Sequence, residues 1–201
     1  QFKDGNSKLI VTTIQKLYNA ITREHHLKTM DDLKDKKIVF IFLYLYSIKN
    51  TKNMALQWKI RAFDALSVYE LYDLLRLRSE IFVVEQNCVY LDLDGKDVVA
   101  LHLIGEFEGK IVAHARLFKA GITFDNASIG RVTVAAKYRN RKWGHDLMRE
   151  AIAGVLSHFG EDKITIGAQL YLKKFYESHG FVQTSQMYLE DDIPHIEMIR
   201  E

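Results

Sequence analysis

Residues 129–148 read IGRVTVAAKYRNRKWGHDLM, and the rest of the chain is best understood from this stretch outward. It opens on Ile129-Gly-Arg-Val-Thr-Val134, whose β-branched residues predict a strand over Ser128 to Val134. Beyond it, Leu147, Met148, Ala151, Ile152, Val155, Leu156 and Phe159 form an apolar stripe at helical spacing, predicting a helix over His145 to Phe159 with Gly160 at its C-cap. Between strand and helix lies the basic turn Arg139-Asn-Arg-Lys-Trp-Gly144. Such a turn places free backbone N–H groups at the positive end of the helix dipole, which makes an anion site. Arg139, Arg141 and Lys142 add charge that suits a pyrophosphate. The turn is not a P-loop, because Lys142 is not followed by Ser or Thr after two spaced glycines, and Gly144 alone does not make a dinucleotide fingerprint.

Working outward, Trp58-Lys-Ile-Arg-Ala-Phe63 alternates as a strand does, and Ser67-Val-Tyr-Glu70 is a capping box opening a helix. A long polar and aromatic connection follows over Ser79 to Asp97. Val98–Phe107 and Lys110–Phe118 read as two strands around the tight turn Glu108-Gly109. On the far side of the central stretch come a strand at Lys163–Ala168, a helix from Leu170 to His179 closed by Gly180, and last strands at Phe181–Leu189 and His195–Ile199. The order β-α-loop-β-β-β-α-β-α-β-β predicts an α+β fold on a mixed sheet.

Composition excludes several classes. The chain has 201 residues, 48% hydrophobic and 27% charged, as a globular protein does. A single cysteine, Cys88, rules out a disulfide framework and a cysteine-clustered zinc site, and fits a reducing, cytoplasmic setting. No metal site is expected. The longest apolar run, Ile38 to Tyr46, falls well short of the ~20 residues that span a bilayer, so no membrane partner is expected. The net charge of +2 hides an asymmetry: residues 1–53 carry a surplus of positives and the remainder is net acidic. Residues 1–53 read as an appended basic segment, with a helix at Leu9–Ile21 and a strand or second helix at Ile38–Tyr46, and residues 54–201 as one self-sufficient domain. The basic residues of the segment are interrupted by Asp31, Asp32 and Asp35 and carry no nucleic-acid motif, so a solvated connection is the expected reading.

The central strand, the Arg139–Gly144 turn, the helix carrying Leu147 and Met148, and Phe175-Tyr-Glu-Ser-His-Gly-Phe181 occur in an order that resembles the GNAT superfamily of acyl-CoA N-acyltransferases, over residues 54–201. The superfamily's turn is Arg/Gln-x-x-Gly/Ala-x-Gly/Ala; Arg139 and Gly144 match it, and Lys142 replaces the middle glycine. Gln169 stands where an asparagine is usual, seven residues before Tyr176. Phe82-Val-Val-Glu-Gln-Asn-Cys88, Tyr90, Asp94, Gly167-Ala-Gln169 and Ile193-Pro-His-Ile196 resemble the ElaA-like group in particular.

The resemblance implies a mixed, mostly antiparallel, splayed sheet flanked by helices, with acetyl-CoA as co-substrate held between two strands. Main-chain groups of Val132, Thr133 and Val134 would pair with the pantetheine arm. The amides of Arg139, Asn140, Arg141, Lys142, Trp143 and Gly144, with His145 behind them and Gln169 nearby, would hold the cofactor. Tyr176 would protonate the departing thiolate, and a phenol of pKa ~10 is a proton donor at neutral pH. The general base is open among Glu85, His102 and His195. Asp92, Asp94 and Asp97 lack the spacing of a calcium loop and, with Glu190, Asp191 and Asp192, are expected to form a solvated acidic rim that attracts a cationic amine. The expected partner is a small-molecule or protein amine, with a homodimer left open. Two rival readings are an acyl-CoA sensor without turnover, suggested by Lys142 and Gln169, and nucleic-acid binding through residues 1–53.

Overall fold

The computed structural model of the chain describes residues 55–201, so the elements expected at Leu9–Ile21 and Ile38–Tyr46, with the whole of 1–53, lie outside the described residues. The first strand, β1 (Gln57–Ala62), leads to helix α1 (Val68–Arg78). Its capping box is formed as the sequence predicts: Ser67 Oγ accepts from the Glu70 N–H at 3.2 Å, and the Glu70 carboxylate accepts from the Ser67 N–H at 2.9 Å. Lys59 on β1 ties the same carboxylate down at 2.7 Å. Its hydrogen bond, then that from the Ser67 N–H, holds the Glu70 carboxyl down at about 2.

Strands β2 (Leu101–Phe107), β3 (Lys110–Phe118) and β4 (Ala127–Val134) follow, then α2 (Trp143–Phe159), β5 (Ile164–Gln169), α3 (Lys173–Glu177), β6 (Val182–Gln183), β7 (Tyr188–Glu190) and β8 (Ile193–Arg200). The strands form one eight-stranded sheet in the order β1-β2-β3-β4-β5-β8-β6, with β7 paired to β8. Only β4 and β5 run parallel; every other pair is antiparallel. Helix α2 covers one face, lying chiefly over β3 and β4, and its Leu147, Met148, Ala151 and Val155 share one core with Ala115, Leu117 and Ile129 of those strands. Gly154 permits this approach, since a Cβ there would stand 2.8 Å from Ile60 Cδ1 and 2.9 Å from Leu117 Cδ1.

Three expectations are corrected. Helix α2 begins at Trp143, not His145, because the turn before it is itself wound as a short 3₁₀ helix (Ala136–Arg141) that hands directly into it. The strand expected over Phe181–Leu189 is broken into β6 and β7, which pair with different parts of β8. The connection after α1 is not open loop: Ser79–Glu85 continues as a wider π-type helix, with the Gln86 N–H bonded to Ile81 O and the Cys88 N–H to Val83 O.

Candidate active site

The site begins where the sheet comes apart. Strands β4 and β5 share only the pairs Ala127↔Ile164 and Ser128↔Thr165 and then diverge. Beyond Ser128, β4 is laddered to β3 on one side and not to β5 on the other. The register of β3 to β4 slips between His114 and Arg116 of β3, opposite Arg131 and Val132 of β4, and Arg131 takes φ 51° there. Two residues of β4 then oppose one of β3, which is a bulge that bends the strand away from its neighbour. The opening is a cleft of about 510 Å³, bounded by Gly130, Arg131 and Val132 of β4, Gly167 and Gln169 of β5, and Tyr176 of α3. Phe82 and Tyr90 from the connection after α1, and Tyr188 and His195 from the β7–β8 hairpin, close its other walls.

The Arg139–Gly144 turn leads into the N-terminus of α2. Lys142 is its N-cap, at φ 61°, with no side-chain cap on the first turn. The side chains are more committed than their charge suggests. Arg139 makes a forked ion pair with Glu85, at 2.6 and 2.9 Å, and its Nε–H donates to Val134 O at 3.1 Å. The Arg141 guanidinium lies 4.9 Å from the Phe107 ring centre and 5.1 Å from that of Trp143. Trp143 is buried with Phe107 and Val112 in a small second core, which pins the turn to β2 and β3. Asn140 is exposed. His145 pairs with His179 (2.9 Å between Nδ1 and Nε2) and packs on Phe175. Thr133 is buried and donates to His114 O, while Val132 and Val134 pack partly against the core.

The four acid–base candidates fall in different places. Tyr176 is buried at the cleft wall, and burial pushes its phenol up, so it holds its proton at neutral pH. Gln169 lines the cleft and exchanges amide hydrogen bonds with Gln86. Glu85 is at the turn, committed to Arg139, and does not line the cleft. His102, expected to face the cleft, is fully buried inside the sheet. One of its nitrogens bonds to Asp97 O at 3.0 Å and the other to His114 Nε2 at 3.1 Å. A carbonyl only accepts, so His102 Nε2 carries its proton and its Nδ1 lone pair is taken by His114. No lone pair is left for a substrate. His195 does line the cleft.

The acidic rim is corrected. Asp92 and Asp97 are buried, and their carboxylates are consumed by arginines. Arg78, completely buried, pairs with Asp92 at 2.8 Å and with Asp97. Arg131 reaches Asp92 at 2.7 Å, and Arg116 forks onto Asp94 at 2.7 and 2.9 Å. Burial pushes Asp92 and Asp94 up, but hydrogen bonds and charge from these arginines outweigh it and hold both carboxyls low. The run belongs to a neutralised frame, of which Asp94, Arg116 and Arg131 line the cleft. The acidic groups that line the cleft without an arginine partner are Glu190 and Asp191, beside β7. Cys88 points its Sγ at Asp191 O, 3.6 Å away, from the connection after α1. Among the described residues no group of three or more His, Cys, Asp or Glu is placed to hold a metal, and no helix is long and apolar enough to cross a membrane.

A sheet split between parallel strands, a bulge at the split and a basic turn at the next helix define the class of acyl-CoA N-acyltransferases. The family model described as "Acetyltransferase (GNAT) domain" matches residues 92–201, and the chain belongs to that family, on its ElaA-like branch. It is 40% identical over 148 residues to Protein ElaA of Escherichia coli, covering 73% of this chain and 97% of that protein. Among solved structures, an acyl-CoA N-acyltransferase from Pseudomonas aeruginosa superposes with a TM-score of 0.70 at 38% identity, covering 73% of this chain and 100% of that one. The crystal structure of Escherichia coli ElaA gives a TM-score of 0.69 at 39% identity with the same coverage. The chain is an acyl-CoA N-acyltransferase.

Proposed function

We propose that the protein transfers an acetyl group from acetyl-CoA to a primary amine, by direct attack within a ternary complex. The observation that carries this reading is the departure of β5 from β4 after two ladder pairs, which leaves residues 129–132 lining an opening with Tyr176 in its wall. In this reading the main chain of Val132, Thr133 and Val134 pairs with the pantetheine arm. The amides of the Arg139–Gly144 turn, at the N-terminus of the 17-residue helix α2, receive the pyrophosphate. With Arg139 held by Glu85 and Arg141 stacked on aromatics, backbone dipoles carry more of that anion than side-chain charge does.

The chemistry needs an uncharged amine, a stabilised oxyanion and a protonated leaving group. The amine nitrogen attacks the thioester carbon; a backbone N–H near Val132 stabilises the oxyanion. The C–S bond then breaks, and Tyr176 gives its phenolic proton to the sulfur. For the acceptor, Glu190 and Asp191 on the lip favour an ammonium group, either a small cationic amine or a lysine side chain.

Incubation of the full chain with acetyl-CoA and a panel of primary alkyl amines, diamines and a lysine-containing peptide tests this directly. The expected result is free CoA thiol and N-acetylated amine in equal amounts. Thiol release without amide, or no release with any amine, would contradict it.

A further inference from the structure

We propose that His195 is the general base that deprotonates the acceptor amine, an assignment that rests on the acyl-transfer reading above. Its position follows from register. His195 of β8 is paired directly with Gln169 of β5 on one side and with Tyr188 of β7 on the other. Directly opposed residues project to the same face of a sheet, so these three form a row, and all three line the cleft. The next residue, Ile196, points the other way and is fully buried in the core with Met198.

The ring is also prepared. Nδ1 lies 2.8 Å from Ile193 O. A carbonyl oxygen can only accept, so Nδ1 bears the proton, and the neutral ring keeps its lone pair on Nε2. No described residue hydrogen-bonds to that nitrogen. Stacking on Tyr188, with ring centres 6.0 Å apart and planes at 27°, holds the imidazole in place. This is the reverse of His102, whose free lone pair is spent on His114 inside the sheet.

The step balances. His195 Nε2 takes one proton from the ammonium group, the freed amine forms the C–N bond, and the C–S bond then breaks as the oxyanion collapses. The sulfur leaves as thiol with the Tyr176 proton, the nitrogen's surplus proton replaces it on Tyr176, and His195 returns its proton to water. The titratable groups on the same wall are Tyr176, Tyr188, Glu190 and Asp191, with Glu197 two residues along β8 opposite Gly167; β5 contributes Gly167 and Gln169, neither of which titrates. Across the cleft stand Lys96, the Asp94–Arg116 ion pair and Arg131.

The test compares His195→Gln and His195→Ala with the wild type in the full chain, with acetyl-CoA binding by calorimetry as the control for folding. The best alkyl amine of the panel is used beside its trifluoro-substituted analogue, which is already uncharged at neutral pH. With the alkyl amine, kcat/KM should fall by about 10²–10⁴ in both variants, and the acid limb of the pH profile should change. The loss should shrink with the trifluoro analogue, and added imidazole should restore part of the His195→Ala rate. An unchanged rate and pH profile in His195→Gln would overturn the assignment. So would equal losses with both amines and no imidazole rescue, which would mark His195 as a packing residue. If the wild type acetylates no amine at all, the transfer reading itself fails and the base with it.

Discussion

Lys142 stands in the left-handed region at φ 61°, at the position where the family's turn has glycine. A side chain there costs about 1–2 kcal/mol relative to the right-handed region. Lys142→Gly should therefore stabilise the fold by up to about 1 kcal/mol, while Lys142→Val, β-branched at positive φ, should destabilise it. Thermal melting of the two variants distinguishes these outcomes. Tyr176 carries the second prediction at this scale. Tyr176→Phe keeps the ring against Phe175 and Phe181 and removes only the donor. Acetyl-CoA affinity should hold while kcat falls, toward the low end of about 10²–10⁴ because a thiolate leaves readily. An unchanged kcat with chemistry rate-limiting would leave Tyr176 as a packing residue. The turn was legible in the sequence because its signal is contiguous; the engagement of Arg139 by Glu85 and of Arg141 by Phe107 was not, because both partners are remote in sequence.

At the scale of elements, the ion-pair frame joins α1, the connection after it, β3 and β4 through Arg78, Asp92, Asp97, Arg116 and Arg131. Breaking a buried ion pair by removing one partner leaves an unpaired charge, so Arg78→Met should cost about 3–5 kcal/mol in urea unfolding. A pH prediction follows from the same region. Burial holds His102 below the ordinary histidine value and His114 well below it. The unfolded chain then binds more protons than the folded one below about pH 6.5. Stability is full above that pH and falls as pH drops through it, by at most about 1.4 kcal/mol per pH unit for each proton. Asp92 and Asp94, held low, add their own loss only below about pH 4. Melting between pH 8 and pH 5 should show the histidine loss, and His114→Gln should flatten it. The capping box at Ser67 and Glu70 could be read from the sequence because it spans one helical turn. Nothing local links Arg78 to Asp92 or Asp97, so the closely spaced Asp92, Asp94 and Asp97 looked like a solvated rim. Likewise β6 and β7 read as one strand, since only their pairing with separate parts of β8 divides them.

For the whole molecule, the relatives cover 73% of this chain, and residues 1–53 carry the basic surplus. A chain beginning at Met54 should fold, and should bind acetyl-CoA like the full chain; failure to fold or bind would contradict the division of the chain at residue 53. The β4–β5 opening and the N-terminus of α2 are linked through the short 3₁₀ turn Ala136–Arg141 that follows β4. Acyl-CoA is proposed to bind across that link. The most direct measurement is a calorimetric titration of the full chain with acetyl-CoA, repeated with Gly144→Val and Arg141→Ala. A Cβ at Gly144 would meet Phe175 at 3.7 Å, an ordinary contact, so the fold admits a side chain and melting checks that it does. The expected result is one-to-one binding, lost in Gly144→Val and weakened by no more than about 1 kcal/mol in Arg141→Ala. No binding by the wild type, or binding that survives Gly144→Val and disappears in Arg141→Ala, would contradict the account.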